Sequence, residues 1–332
     1  MTVTVESFES PDALDARDRT AMTAIFNAVW AEWIVGEPPV SEAAFLDLER
    51  LGHLPEVQHR RLARDAGGAL VGFGDVGWRE GEPGHAHLSL KVAPDRRGVG
   101  VGRALGAELA AVARRAGRTS LTIEARCGDR SAEICAKAGA VADMVVEVNR
   151  TRVSEIPQAL LESWQRSGEA ADGYSLVAYD APCPPALAEA FTAVRHVMND
   201  APRYAGEGEA TFTVDELRAA EASIAGAGQD WWCLGVRDEA SGEIVGLSEM
   251  YLPVRRPWLV LQGDTGVAPA HRGHGLGAWM KAVNHLRLVG ERPEAEIVQT
   301  WNASANQPML RINRALGFEP VQRFQGWSLA LV

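Results

Sequence analysis

The chain has 332 residues, 46% of them hydrophobic and 23% charged, with a formal net charge of −11 and a pI near 5.3. This composition predicts a soluble globular protein, and the length favours two domains. The acidic balance disfavours nucleic acid and anionic membranes as main partners. No apolar run approaches membrane-spanning length.

The cysteines are scattered, without a C-x-x-C pair, at Cys127, Cys135, Cys183 and Cys233. This spacing gives little support to a zinc or thioredoxin-type site, so we expect no metal. Scattered thiols fit a reducing compartment, and the acidic N-terminal stretch lacks the features of a signal peptide. We therefore predict a cytoplasmic protein.

Hydrophobic periodicity in the first half predicts a mixed series of strands and helices. In chain order these are strand 2–8, helices 12–33 and 41–51, strands 58–64, 69–78 and 85–92, helix 101–116, strand 120–125, helix 130–138 and strand 144–153. Ser41 is the expected N-cap of the second helix.

The second half repeats the same order. After a helix at 156–166 and a small, polar linker at 167–173 come strand 174–179, helix 186–198, an irregular segment 199–209, helix 213–224, strands 231–237, 244–251 and 258–267, helix 276–288, strand 296–301, helix 307–316 and strand 326–331. Thr213 and Glu216 are spaced as a capping box. We predict domains at 1–166 and 174–332.

A strand ending in Val-Ala-Pro, a basic glycine-rich turn and a helix occur together twice, and Arg97 and Arg272 are 175 residues apart. That offset indicates a duplicated domain. Glycines let backbone N–H groups converge at a helix N-terminus, which suits a pyrophosphate. The candidate binding residues are Val92, Arg97, Gly98, Val99, Gly100 and Gly102, and Val267, Arg272, Gly273, His274, Gly275, Leu276 and Gly277.

The pattern Arg-x-x-Gly-x-Gly after Val-x-Pro resembles the acetyl-CoA loop of the GNAT superfamily of N-acetyltransferases. Residues 306–318 resemble a second GNAT segment, Asn-x-x-Ala-x-x-Leu-Tyr-x-x-x-Gly-Phe. The resemblance implies a mixed α/β chain of two tandem GNAT folds that uses acetyl-CoA as co-substrate. Asn306 would then help hold the pantetheine arm, Phe318 would close the core, and the acceptor would be a primary amine of a small molecule that attacks the thioester directly.

The chain departs from the family at the tyrosine that acts as general acid, because Asn313 occupies that position. A thiol of pKa about 8.5 is a fair leaving group without this acid. The first half departs further, with Gly128 for the asparagine and Cys135 for the tyrosine. We expect the first half to be degenerate and non-catalytic, an arrangement that resembles mycothiol synthases, which work through their C-terminal half.

A general base must deprotonate an attacking amine. Asp264 is the only carboxylate on strand 258–267, and the two-residue period places it on the same face as Gln262. A structural carboxylate at a strand end is the alternative, and Glu249 is the second candidate base. Three residues of the next strand are candidates to line the acyl site, namely Thr300, Trp301 and Asn302.

By the same resemblance, Asn199–Pro202 with Glu207 and Glu209 lies where GNAT enzymes place the acceptor loop. The sequence does not identify the amine, and either a monomer or a homodimer is expected. Two other functions are compatible with single features of the sequence. Gly273–Ala278 satisfies the G-x-G-x-x-A motif of dinucleotide oxidoreductases, but four strands precede it, where that motif belongs in the first strand–helix turn. A non-catalytic acyl-CoA sensor is favoured by Asn313 and the degenerate first half.

Overall fold

The computed structural model describes residues 2–51, 56–79 and 84–331. Its elements follow the predicted order in both halves, which confirms the repeat. The first set is β1 (Thr4–Phe8), α1 (Ala16–Trp33), α2 (Glu42–Arg50), β2 (Glu56–Arg64), β3 (Leu70–Arg79), β4 (His85–Val92), α3 (Val101–Arg115), β5 (Ser120–Arg126), α4 (Arg130–Lys137) and β6 (Val141–Arg152).

The helix α5 (Gln158–Glu169) precedes the second set. That set is β7 (Tyr174–Asp180), α6 (Pro185–Val194), α7 (Val214–Gly226), β8 (Gln229–Asp238), β9 (Ile244–Pro253), β10 (Leu259–Val267), α8 (Leu276–Glu291), β11 (Ile297–Ala303), α9 (Gln307–Ala315) and β12 (Glu319–Ala330). No helix in the described part of the chain is both long and apolar enough to cross a bilayer.

Both helix caps predicted from the sequence are confirmed. The Ser41 hydroxyl accepts a hydrogen bond from the Ala44 N–H at 3.2 Å. Thr213 Oγ1 accepts from the Glu216 N–H at 3.2 Å, and Glu216 Oε2 accepts from the Thr213 N–H at 2.7 Å. These side chains satisfy N–H groups that a helix start leaves without intrahelical partners.

The chain folds as two compact units. Unit 1 consists of Met1–Val146, Arg203–Gly208 and Gln322–Val332. Its strands lie in the order β1-β2-β3-β4-β5-β12, with β4 and β5 parallel and the other neighbours antiparallel. Leu62 packs with α1 and α2, whereas Ala63 packs with Leu105 of α3. Since successive strand residues point to opposite faces, the helices cover both faces of this sheet.

Unit 2 consists of Glu147–Pro202 and Glu209–Val321. Its strands lie in the order β6-β11-β10-β9-β8-β7; β10 and β11 are parallel, and β7, β8, β9 and β10 pair antiparallel in turn. One core cluster joins Met250, Val260 and Phe318, and a second joins Val236, Leu276 and Met280. Phe318 is 2% exposed and closes the core as expected.

The units do not follow the boundaries predicted from the sequence. Gln322–Val332 belongs to unit 1 because β12 pairs antiparallel with β5 from Phe324–Arg126 to Ala330–Ser120. Residues 167–169 of the predicted linker form the last turn of α5. Gly168 there lies against the Trp279 ring, where a Cβ would come within 2.0 Å of ring atoms, so this glycine permits close helix packing.

Candidate functional site

The two glycine turns have the same backbone geometry. Gly98 and Gly100 have φ of 80° and 100°, and Gly273 and Gly275 have φ of 86° and 76°. Gly100 and Gly275 are the left-handed N-cap residues of α3 and α8, and neither of these described helix starts has a side-chain cap. The first N–H groups of both helices are therefore available to an anion.

The turn arginines bind to their own units. Arg272 Nε donates to the Val267 carbonyl at 2.9 Å, and Nη2 donates to Asp200 at 2.5 Å. Arg97 makes the same two kinds of contact, to the Val92 carbonyl at 3.3 Å and to Glu32 at 2.8 Å. These arginines close the turns, and a bound anion would be held mainly by backbone N–H groups.

The remaining turn residues divide between packing and exposure. Leu276 is buried, whereas Val99 and His274 are exposed, and the carbonyl of His271 lies 3.2 Å from His274 Nδ1. A Cβ built on Gly100, Gly273 or Gly275 meets nothing within 4 Å, so open space lies over both turns. Gly102 and Gly277 lie in the first helical turns, where a Cβ would have ordinary contacts with Val92 and Ile312.

A β-bulge interrupts β10 opposite Glu249 of β9, the second candidate base. Gln262 pairs with Met250 and Thr265 pairs with Ser248, so Gly263 and Asp264 together face the single residue between those partners. The prediction that Gln262 and Asp264 share a face is wrong, because the bulge breaks the two-residue period. Gln262 is buried and donates to the Glu249 carbonyl at 2.6 Å, whereas Asp264 is exposed.

The Asp264 carboxyl has the electrostatics of a base. Desolvation by the surrounding protein and the charge of Glu249 raise its pKa from 3.8 to about 6, against the opposing charge of Arg195. The carboxyl nevertheless remains accessible to solvent. A carboxylate with a raised pKa and an open face can accept a proton near neutral pH.

Glu249 lies at 0% exposure in an ion pair with Arg195. Cys233 Sγ donates to its Oε1 at 3.3 Å, and the Tyr251 hydroxyl donates to its Oε2 at 3.2 Å. Desolvation and the Glu249 charge raise the pKa of both donors well above their usual values. Both carboxylate oxygens of Glu249 are thus engaged by neighbouring donors, and its charge acts on the pKa of Asp264.

The strands β10 and β11 separate next to the second turn. Their parallel pairing covers Leu259–Ile297, Val260–Val298 and Leu261–Gln299 and goes no further. Asp264 on β10 and Asn302 on β11 both lie beyond the last pair. Thr300 is buried and Trp301 is 42% exposed, so these neighbours face opposite ways.

A buried polar network backs Asn302. Its Oδ1 accepts from Asn313 Nδ2 at 2.9 Å and from Asn149 Nδ2 at 3.3 Å. Asn313 Oδ1 in turn accepts from Lys281 Nζ at 2.9 Å. Lys281 is 1% exposed, and desolvation lowers its pKa from 10.5 to about 7. Sequence reasoning missed Lys281 and Arg195, although Lys281 is a single charge within an otherwise apolar helical run.

The segment after β11 begins α9 as expected. Asn306 is the N-cap, and its Oδ1 accepts from the Met309 N–H at 3.3 Å. In unit 1 the corresponding cap is Asp129, which accepts from the Ser131 N–H at 2.7 Å. Cys135 is buried there, and desolvation together with the Asp129 charge raises its pKa to about 11. The β3–β4 register is regular from Gly72–Val92 to Gly77–His87, without the bulge seen in β10.

Comparison with known proteins gives a family match in the first half of the chain and a similar fold along its whole length. Residues 22–139 match the Acetyltransferase (GNAT) family. A tandem GNAT protein from the clavulanic acid biosynthesis pathway is similar over 100% of this chain and 99% of its own, with a TM-score of 0.78 and 24% identity. A GCN5-related N-acetyltransferase from Sphaerobacter thermophilus is similar over 99% and 96%, with a TM-score of 0.69 and 16% identity.

No curated protein is similar enough to count as a match. At 24% and 16% identity, the two solved structures show the fold alone. The family match covers part of the N-terminal half. This chain therefore contains a GNAT-family acetyltransferase domain within residues 22–139 and has the tandem GNAT fold along its whole length.

Proposed function

We propose that the protein transfers the acetyl group of acetyl-CoA to a primary amine of a small molecule, and that unit 2 carries out the chemistry. The observation that carries this proposal is the β10 bulge, which presents Asp264 to solvent beside the point where β10 and β11 separate. The regular β3–β4 register offers no such arrangement in unit 1.

The second turn fits the pyrophosphate of acetyl-CoA. Its uncapped helix start and the open space over Gly273 and Gly275 leave room for an anion next to backbone N–H groups. Acetyl-CoA supplies the activated thioester when bound. Asn306, at the start of α9, would hold the pantetheine arm.

Asp264 then removes a proton from the acceptor amine, since only a neutral amine attacks a thioester. Asn302 is held in one orientation by Asn313 and Asn149 and would line the acyl site. Asn313 supplies no proton, so the thiol leaves as its thiolate, which is a fair leaving group because a free thiol has a pKa of about 8.5.

Unit 1 keeps the turn but lacks the other features. Gly98 and Gly100 match their counterparts in conformation, so this turn is also suited to the pyrophosphate of acetyl-CoA. Gly128 and Cys135 replace the asparagine and tyrosine of the family pattern. We assign unit 1 a binding role without catalysis.

The second candidate is a non-catalytic acyl-CoA sensor. One observation favours it. Asn313, at the position of the family's tyrosine, hydrogen-bonds Lys281 and Asn302 and cannot act as the general acid.

Measuring CoA release from acetyl-CoA over a library of small amines, with calorimetry of CoA binding alongside, tests both candidates. We expect binding together with amine-dependent release. Binding without release for any amine supports the sensor, and failure to bind CoA at millimolar concentration contradicts both.

A further inference from the structure

Two histidines and a glutamate meet in unit 1 at the start of β4, whose other end leads into the first glycine turn. His85 and His87 are alternate residues of β4, so they share one face of the sheet. Glu207 comes from the segment Arg203–Gly208, which belongs to the same unit. One ligating atom from each of the three side chains lies within 4.8 Å of the other two.

The segment that carries Glu207 packs against this sheet and is hydrogen-bonded to it. The Tyr204 hydroxyl donates to Glu124, and the Tyr204 ring lies over Gly326, where a Cβ would come within 2.3 Å of it. The Ala205 N–H donates to Asp143 at 2.6 Å. Gly206 has a φ of 95°, and a Cβ there would lie 3.2 Å from His85 Nδ1, so a glycine permits the close approach.

The neighbours of the three side chains orient their ligating atoms. His85 Nδ1 lies 3.2 Å from Ser120 Oγ, so a metal at His85 would bind Nε2. Glu207 Oε2 accepts from the Tyr204 N–H at 3.0 Å, and Oε1 lies 3.2 Å from His87 Nε2. Such outer hydrogen bonds fix ring orientation and carboxylate position in metal sites.

We propose that His85, His87 and Glu207 bind a divalent transition metal of the zinc type, with solvent at the fourth position. Two imidazoles and one carboxylate are ligands that suit Zn²⁺ and exclude a preference for Ca²⁺ or Mg²⁺, which take mainly oxygen. Tetrahedral ligands at Zn–N distances near 2.0–2.1 Å lie roughly 3.4 Å apart. His87 Nε2 and Glu207 Oε1 already lie 3.2 Å apart, and no other separation within the cluster exceeds 4.8 Å. The widest separation therefore has to close by at most about 1.4 Å.

The ion would fasten Arg203–Gly208 to β4, because one ligand lies on that segment and two lie on the strand. This role is independent of acetyl transfer in unit 2. The cysteine spacings predicted no metal, and the third ligand is remote from the His-x-His pair in the chain. The competing explanation is a hydrogen-bonded His87–Glu207 pair that binds no ion.

Calorimetric titration of the chelator-treated full-length protein with ZnCl₂ tests the site. We use a Cys127→Ser background because that thiol is exposed. We expect one tight equivalent, and at least about tenfold weaker binding in His87→Ala and in Glu207→Gln, since the loss of even an outer-shell partner costs 10–100-fold. His196→Ala removes an exposed histidine outside the cluster and should bind as the parent does.

Thermal unfolding with and without ZnCl₂ provides the second readout. The His87 side chain is 49% exposed, so His87→Ala should fold and melt normally without metal. Zinc should raise the melting temperature of the parent and of His196→Ala but not of His87→Ala, because a ligand that binds only the folded state stabilises it by mass action. Absence of a tight equivalent, or equal binding by the parent and both cluster variants, overturns the site and leaves the proposed acetyl transfer intact.

Discussion

Asp264 is the residue on which the proposed chemistry depends. Asp264→Asn keeps the size of the side chain and removes the base, so kcat should fall by roughly 10²–10⁴-fold, the usual contribution of a positioned base. Donor affinity should change little, because the turn that fits the pyrophosphate lies beyond the strand. In the parent, kcat/KM should fall with decreasing pH through about 6 as Asp264 becomes protonated.

Pre-steady-state and steady-state rates across pH 5–9 check this prediction. The limb near pH 6 should vanish in Asp264→Asn. In Glu249→Gln it should instead move to lower pH, because the Glu249 charge raises the pKa of Asp264. A profile unchanged from the parent in Asp264→Asn would make the residue structural.

Burial of Lys281 should make the stability of the protein depend on pH. Burial lowers its pKa from 10.5 to about 7, so between these pH values the unfolded chain binds a proton that the native protein does not. Stability from this residue therefore rises with pH across that window, by up to about 1.4 kcal/mol per pH unit. Below pH 7 both states are protonated and the contribution is constant.

Lys281→Met should remove this slope. Urea unfolding at pH 7.5 and 9.5 should show that the parent gains stability relative to the variant at the higher pH. Loss of the donor to Asn313 would lower the stability of the variant at both pH values equally. Parallel behaviour of the two proteins would mean that Lys281 is charged in the native state throughout this range.

Residue-level prediction succeeded where the determinant is local. Ser41 and Thr213 cap helices as predicted, because the groups they satisfy lie three residues away in the chain. The Arg195–Glu249 and Lys281–Asn313 contacts join elements that are distant in sequence, so local spacing does not predict them.

The two glycine turns allow a matched comparison of elements. Gly275→Leu should place a side chain where the pyrophosphate is proposed to lie and abolish CoA release, whereas Gly100→Leu should leave turnover largely intact. Both glycines have positive φ and open space around the added Cβ, so the backbone strain of about 1–2 kcal/mol is common to both variants.

CoA release and melting temperature should be measured for both variants. Similar melting temperatures with activity lost only in Gly275→Leu would support catalysis by unit 2. If Gly100→Leu is the inactive variant, the assignment of the chemistry to unit 2 is wrong.

The helices and strands were predicted well because hydrophobic periodicity and the positions of glycine and proline can be read directly from the sequence. The strand His85–Val92 agrees with its prediction at both ends. The β10 bulge was not predicted, since inserting one residue into a ladder depends on the partner strand, and its effect is to reverse the direction of Asp264 relative to Gln262.

At the scale of the whole molecule, β12 completes the sheet of unit 1. Phe324 is 2% exposed and contacts the Trp33 ring edge-on at 5.2 Å. Phe324→Ala should therefore lower the free energy of unfolding of unit 1 by about 3–5 kcal/mol. Val321→Ala, on the same strand but 45% exposed, should have little effect.

A fragment of residues 1–166 sharpens this test, because it lacks β12 and the segment Arg203–Gly208. It should be unfolded or readily proteolysed, whereas the same residues in the full chain should resist proteolysis. Cooperative unfolding of the fragment at the stability of the full chain would show that unit 1 is self-sufficient. Sequence patterns did not predict this requirement, since alternation defines which face of a strand is apolar and not which strand it pairs with.

The place of β12 in unit 1 also sets an order of events during protein synthesis. The edge of β5 stays unpaired until β12 has been synthesised, roughly 200 residues later. At 5–20 residues per second this delay is about 10–40 s. Throughout that interval a nascent sheet displays an open edge, which is a template for pairing with other chains. The yield of folded protein should therefore depend on how quickly the second half is translated, and slow codons between β5 and β12 should increase aggregation.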